Sequence, residues 1–169
     1  MPTDRSRMLL ALLLFPALAA CGTPPEPGAG GRAGLVVVHG DGAVRTACVR
    51  YEGAELSGYD LLRQAGLDTA VDAANPMGVM VCALDGEGCA FPAEPCLCAC
   101  SAPGRCTYWA YFARAPDGGW TYSPLGPSAR RLGEGDLDAW LWLASGGAAP
   151  AEIPLPELTF EDVCPDEAP

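Results

Sequence analysis

Apolar and polar positions alternate along much of the chain, and the alternation breaks at turn-forming residues. Leu35–Val38 is an apolar, β-branched run; His39-Gly40-Asp41-Gly42 suits a tight turn; Val44–Tyr51 resumes the alternation. That order predicts a β-hairpin. Ser57 with Asp60 three residues later has the spacing of a weak capping box. Tyr59, Leu62 and Ala65 then fall on one face at three-residue spacing, and Gly66 supplies the stop. One short helix is expected there. Residues 67–78 read as loop, broken at Asn75-Pro76. Val79–Leu84 predicts a buried strand that runs into the acidic turn Asp85-Gly86-Glu87-Gly88. Beyond the cysteine-dense stretch Cys89–Cys106, three further strands are expected: Thr107–Arg114, Trp120–Ser123 and Asp136–Leu143. One helix cannot cover both faces of so large a sheet. An α+β domain with the helix packed on one face is the economical architecture. Residues 145–169 are rich in Pro, Ala and acid and read as an extended tail.

The N-terminal segment has a different pattern. Arg5 and Arg7 precede Met8–Ala20, an apolar stretch of 13 residues. A bilayer span needs about 20, so the stretch reads as a secretory core. It ends Leu18-Ala19-Ala20-Cys21, which resembles the bacterial lipobox. The expectation is a lipoprotein signal peptide over 1–20, with Cys21 acylated by a diacylglycerol. A Pro/Gly-rich tether over 21–33 would lead into a domain over 34–144 and the tail over 145–169. The protein would then sit lipid-anchored on the extracytoplasmic face of the cell membrane or the outer membrane.

Composition narrows the function. The 169 residues suffice for one domain with tails, and ten arginines (there is no lysine) face twenty-one acids, a net charge of −11. Such a chain repels phosphate backbones, which excludes nucleic acid as a partner. Loss of residues 1–20 would leave −12. The acidity also disfavours adhesion to anionic lipid, so the acyl chains alone would hold the protein. The sequence carries no nucleophile elbow, zinc-protease helix, phosphate loop or dinucleotide fingerprint, and neither enzymatic activity nor a cofactor is expected.

The chain has nine cysteines. With Cys21 reserved for lipid, Cys48, Cys82, Cys89, Cys96, Cys98, Cys100, Cys106 and Cys164 form an even set, as expected of disulfides outside the cytoplasm. Six crowd between 82 and 106. The simplest partition pairs the two distant ones, Cys48 and Cys164, pinning the tail. The other six allow fifteen connectivities. The rival reading is a thiolate metal site at Cys96, Cys98 and Cys100. It lacks the usual knuckle spacing and any nearby His.

The stretch 56–142 resembles the C-terminal domain of transcobalamin and intrinsic factor, and bacterial extracytoplasmic domains related to it. The resemblance rests on Gly58-Tyr59-Asp60-Leu61-Leu62, the strand and turn Val79–Gly86, and Tyr108-Trp109-Ala110-Tyr111. It continues through Gly126-Pro127-Ser128 and Gly135-Asp136 with Trp140-Leu141-Trp142. Phe160 and Cys164 match a Phe-x-x-x-Cys tail of similar lipoproteins. The resemblance implies a small β-grasp-like domain that binds a small planar nutrient, a corrinoid first, on behalf of a transporter. The helical domain that completes the corrinoid clasp in transcobalamin is absent from this sequence.

Alternation puts Tyr108 and Phe112 on one face and Trp109 and Tyr111 on the other. One set builds core. The other is a candidate ligand platform, with Trp109, Tyr111, Trp120, Tyr122, Gly126 and Ser128 as candidate binding residues. Asp85, Glu87, Glu94, Asp136 and Asp138 are read as turn and solubility residues rather than acid–base or calcium ligands. His39 is read as a surface turn residue with no partner constellation. The alternative function is a disulfide-stapled module that binds another envelope protein and takes no small molecule.

Overall fold

The computed structural model describes residues 30–102, 104–145 and 155–166; the signal segment, Cys21 and most of the expected tether lie outside them. In chain order the elements are β1 (Gly31–Val38), β2 (Val44–Tyr51), β3 (Leu56–Ser57), α1 (Gly58–Gln64), β4 (Thr69–Asp72) and β5 (Met80–Leu84). They continue with β6 (Glu87–Gly88), β7 (Cys100–Ala102), β8 (Arg105–Arg114), β9 (Trp120–Tyr122), β10 (Arg131–Leu132), β11 (Leu137–Ala144) and α2 (Phe160–Val163). The molecule is therefore α+β and mostly strand.

The main sheet runs β2-β1-β11-β8-β7, with β9 also paired to β8. Its centre joins the first strand to the last: β1 and β11 lie parallel, from Gly34 opposite Leu137 to Val38 opposite Leu141. The other ladders of this sheet are antiparallel. Because side chains alternate, the central strands β1, β8 and β11 each feed two cores. On one face Leu35, Val37, Val49, Trp109, Tyr111 and Trp140 pack with Leu61 and Leu62 of α1, Leu132 of β10, and Val81 and Leu84 of β5. On the other, Val36, Phe112, Leu137, Ala139, Leu141 and Leu143 pack with Leu155, Val163 and Cys164 from the tail.

Four expectations change. β1 starts at Gly31, inside the expected tether, because Gly31, Arg32 and Ala33 pair with Tyr51, Arg50 and Val49. Arg32 is further held by Glu134 at 3.0 Å and Asp166 at 2.8 Å. Of the expected face Tyr59, Leu62 and Ala65, Leu62 is buried and Ala65 packs half-buried on the core, but Gly58 and Leu61 rather than Tyr59 complete the buried face. The helix is only two turns long and rests its first residue on the sheet, and Tyr59 turns outward under Arg63 at 5.8 Å. The loop expected at 67–78 contains β4, a polar-edged strand that pairs with β5. The tail is not wholly extended. Thr159 and Asp162 form a reciprocal capping box that starts α2, and the Thr159 N–H holds the Asp162 carboxyl below its ordinary range.

All eight of these cysteines are oxidised: Cys48–Cys164, Cys82–Cys96, Cys89–Cys98 and Cys100–Cys106. The Cys96-Leu-Cys-Ala-Cys run thus has no thiolate to offer a metal. Cys82 and Cys89 are buried and anchor the loop, whereas Cys98 is exposed. Cys48–Cys164 closes a separation of 116 residues and clamps the tail over the second core.

Two outcomes test this packing. Replacing Cys48 and Cys164 together by Ala is expected to lower unfolding free energy in urea by about 3–5 kcal/mol. It should also raise binding of a hydrophobic dye as the tail lifts. Gly58→Ala places a methyl group against the Tyr111 hydroxyl and 3.2 Å from the Pro127 carbonyl oxygen. It is expected to cost about 1–3 kcal/mol in the same measurement.

Candidate functional site

The expected aromatic platform does not form. Trp109 and Tyr111 are 5% and 6% exposed and belong to the core under α1. Register explains it. Trp142 lies opposite Trp109 and Trp140 opposite Tyr111 across β8 and β11, so two cross-strand pairs stack indoors. Their centroids are 5.3 Å and 4.5 Å apart. The Trp140 indole N–H finds no acceptor among the described residues, a cost of about 1–3 kcal/mol. Trp120 and Tyr122 lie on the opposite face, because β9 sets Tyr122 against Phe112 and Trp120 against Arg114. Trp120 donates to the Pro156 carbonyl at 2.9 Å and lies under Arg114. Tyr122 meets Phe112 edge-on and is 41% exposed. The four aromatics therefore do not converge on one surface.

Ser128 reaches a cleft, whereas Gly126 only shapes the turn behind it and does not line it. The Gly126 carbonyl accepts from the amides of Ala129 and Arg130, at 3.0 and 3.1 Å, turning the chain tightly. Ser128 Oγ accepts from the Val79 amide at 3.3 Å. The turn forms one wall of an open cleft of about 740 Å³ between β2, β3 and α1, lined by Arg50, Glu52, Glu55, Ser57, Ser128 and Arg131 among others. Arg131 and Glu55 are 3.4 Å apart across it. Ser57 caps α1 through the Asp60 amide at 3.0 Å and donates its hydroxyl to the Asp60 carboxylate at 2.6 Å.

Beneath this wall lies a buried polar cluster. Asp138 is wholly buried on β11, against the expectation of a solubility residue. It faces inward because its neighbours in register, Leu35 and Ala113, fix β11 in mid-sheet. The Tyr111 hydroxyl donates to its Oδ2 and Arg130 Nε donates to Oδ1 at 3.3 Å. Burial pushes the Asp138 carboxyl up to about 6, although Tyr111 and Arg130 pull against it. Burial, with the carboxylate beside it, raises the Tyr111 phenol as well. The same turn grips the helix: Arg130 and Pro127 carbonyls accept from the amides of Gly58 and Tyr59, at 3.2 and 3.0 Å.

His39 is not solitary. Its Nδ1 lies 2.8 Å from Glu87 Oε2 and its Nε2 3.8 Å from Asp85 Oδ2, and its ring meets Trp109 edge-on. Glu87 also accepts from the Gly40 amide and Asp85 from Arg45. Two turns, 39–43 and 85–88, are thereby joined beside a second open cleft of about 570 Å³. Their residues are nearly fifty apart in sequence, so the reading of His39 as an unpartnered turn residue is corrected by a contact that local pattern does not carry. These carboxylates already have donors. Among the described residues no group of three or more His, Cys, Asp and Glu is arranged to hold a metal ion.

A family model described as SCO2322-like domain matches residues 102–169, from the β7–β8 hairpin through the tail. A crystal structure of a Ruminococcus gnavus protein, provisionally described there as metal binding, is similar over 70% of this chain and 99% of its own. The identity is 14% and the TM-score 0.45, a likeness too slight to transfer anything. No curated protein matches the chain.

The Asp138 shift has a measurable sign. Its folded value, about 6, lies above the ordinary value of 3.8. The favourable contribution is therefore complete below about pH 4 and is lost as pH rises through about 6. Wild-type unfolding free energy is expected to gain about 2–3 kcal/mol on acidification from pH 7 to pH 4, relative to Asp138→Asn. Parallel urea curves for the two proteins across that window would refute the assignment.

Proposed function

We propose that this chain is a lipid-anchored extracytoplasmic binding protein, held by Cys21, whose β-grasp-like domain takes a small ligand in the cleft beside α1. The topology supports the grasp-like reading: an opening hairpin, a helix laid across the sheet, and a last strand parallel to the first. No helix among the described residues is long and apolar enough to cross a membrane.

The observation that carries the binding reading is the convergence of Ser128, Arg50, Arg131 and the carboxylates of Glu52 and Glu55 on one cleft. Its walls are polar and doubly charged. The ligand is therefore recognised through its rim by hydrogen bonds and charge, not by stacking on the buried Trp109 and Tyr111. A corrinoid, whose macrocycle is edged with amides, is still the first probe, and delivery to a transporter is the role. A second reading has its own support. Among the described strands β2 pairs only with β1, which leaves an eight-residue edge for strand addition by an envelope protein.

Calorimetry with cobinamide and cyanocobalamin is expected to show saturable heat that Arg131→Ala weakens about tenfold, as loss of a charge-assisted hydrogen bond does. No heat from either, together with capture of a protein partner that a proline in β2 abolishes, would replace the first reading with the second. Intact mass of the exported chain without reductant is expected to show loss of residues 1–20, a diacylglycerol on Cys21 and four disulfides. An unmodified Cys21 would sink the anchor.

A further inference from the structure

We propose that Asp138, Arg130 and Tyr111 form a proton-operated latch that fastens the 126–131 turn to the sheet and releases it when Asp138 is protonated. The geometry joins two separate attachments in one residue. The Arg130 side chain reaches down to Asp138 on β11, while its carbonyl holds the Gly58 amide at the start of α1. Asp138 is fully buried, so its charge has no water to fall back on. Oδ2 already receives the Tyr111 hydroxyl proton. An incoming proton therefore settles on Oδ1, the oxygen facing Arg130. An O–H then confronts an N–H, and the acceptor of the ion pair is gone.

Among the described residues, Tyr111, Arg130 and Asp136 are the titratable or charged groups that act on Asp138. β8 presents Tyr111 and the uncharged Ala113, β1 presents Leu35, and Gly58 of α1 abuts the Tyr111 hydroxyl. Asp136 lies two residues earlier, 3.8 Å from Arg130 and partly exposed. Its charge favours protonation of Asp138, and it offers the released guanidinium an outward partner. The raised carboxyl value puts the transition within mildly acidic conditions. Ser128 and Arg131 ride on the same turn, so release would loosen one wall of the cleft. That last consequence alone rests on the binding reading above.

The latch predicts opposite local and global responses. As pH falls from 7 to 5 the whole domain gains stability, yet the Gly58 and Tyr59 amides should lose protection. The test is hydrogen exchange of those two amides in the full oxidised chain, with each rate divided by the intrinsic rate at that pH. Wild type is expected to open about tenfold more at pH 5 than at pH 7, the loss of one charge-assisted hydrogen bond. Asp138→Asn should show no such step. Arg130→Gln, which keeps the buried acid, should already be open at pH 7 and change no further. If Asp138→Asn does not fold, Arg130→Gln still decides. Constant wild-type protection, or an Arg130→Gln protein that steps like wild type, would overturn the latch. The exchange needs no ligand, so a failure of the corrinoid probes leaves this result standing, and the reverse also holds.

Discussion

The constraint on which the molecule depends is that β11 is buried on both faces. Leu137, Ala139, Leu141 and Leu143 look one way, and Asp138, Trp140 and Trp142 the other. A central strand with two dry faces needs two covers. α1, with the short strands β3, β5 and β10, supplies the first. The tail supplies the second, but twelve described residues ending in a single-turn helix are too few to hold themselves down by apolar area alone. Cys48–Cys164 makes that cover part of the fold. The same demand explains why β1 carries no side chain at Gly34, where Leu137 and Val163 fill the space a Cβ would take.

Apart from the Trp140 indole N–H, unpartnered among the described residues, the polar side chains inside this sandwich join elements. Trp109 donates to the Glu87 carbonyl and so ties β8 to the small β4–β5–β6 sheet. His39 ties the first hairpin to the same sheet. Asp138 ties β11 to the turn that receives α1. Each is a local attachment of one to a few polar contacts that the apolar cores cannot supply. The two open clefts lie directly above two of these attachments. Chemistry at the surface and order beneath it are therefore coupled through very few bonds.

Strand positions were legible because alternation is a local signal: β1, β2, β5, β8, β9 and β11 follow it within a few residues. The distant disulfide pairing was legible as well, since six cysteines crowded into one loop leave two. The capping box at Thr159 and Asp162 was present in the sequence but sat in a stretch whose prolines and acids argued for an extended chain. Facing was harder. Trp109, Tyr111, Trp120 and Tyr122 look alike in sequence, and only the register of β9 on β8 assigns them to opposite sides. Asp138 was misread because an acid two residues from Asp136, at a strand entry, has the pattern of a solvated pair. Its burial is decided by β1 and β8, neither of which is near in sequence. The His39 cluster was invisible for the same reason, being made where two turns meet.

The spacing of the disulfides also bears on the order in which the chain can be assembled. Cys48 is made early, and its partner follows 116 residues later. A chain emerging N-terminus first offers Cys48 a free Cys82 long before Cys164 exists. Cys82–Cys96 and Cys89–Cys98 cross one another, so pairing by order of appearance gives the wrong partners there too. Any pairs formed in order of appearance would have to be undone by thiol–disulfide exchange before this set could form. Until Leu155, Val163 and Cys164 arrive, the face of β11 that they cover stays open.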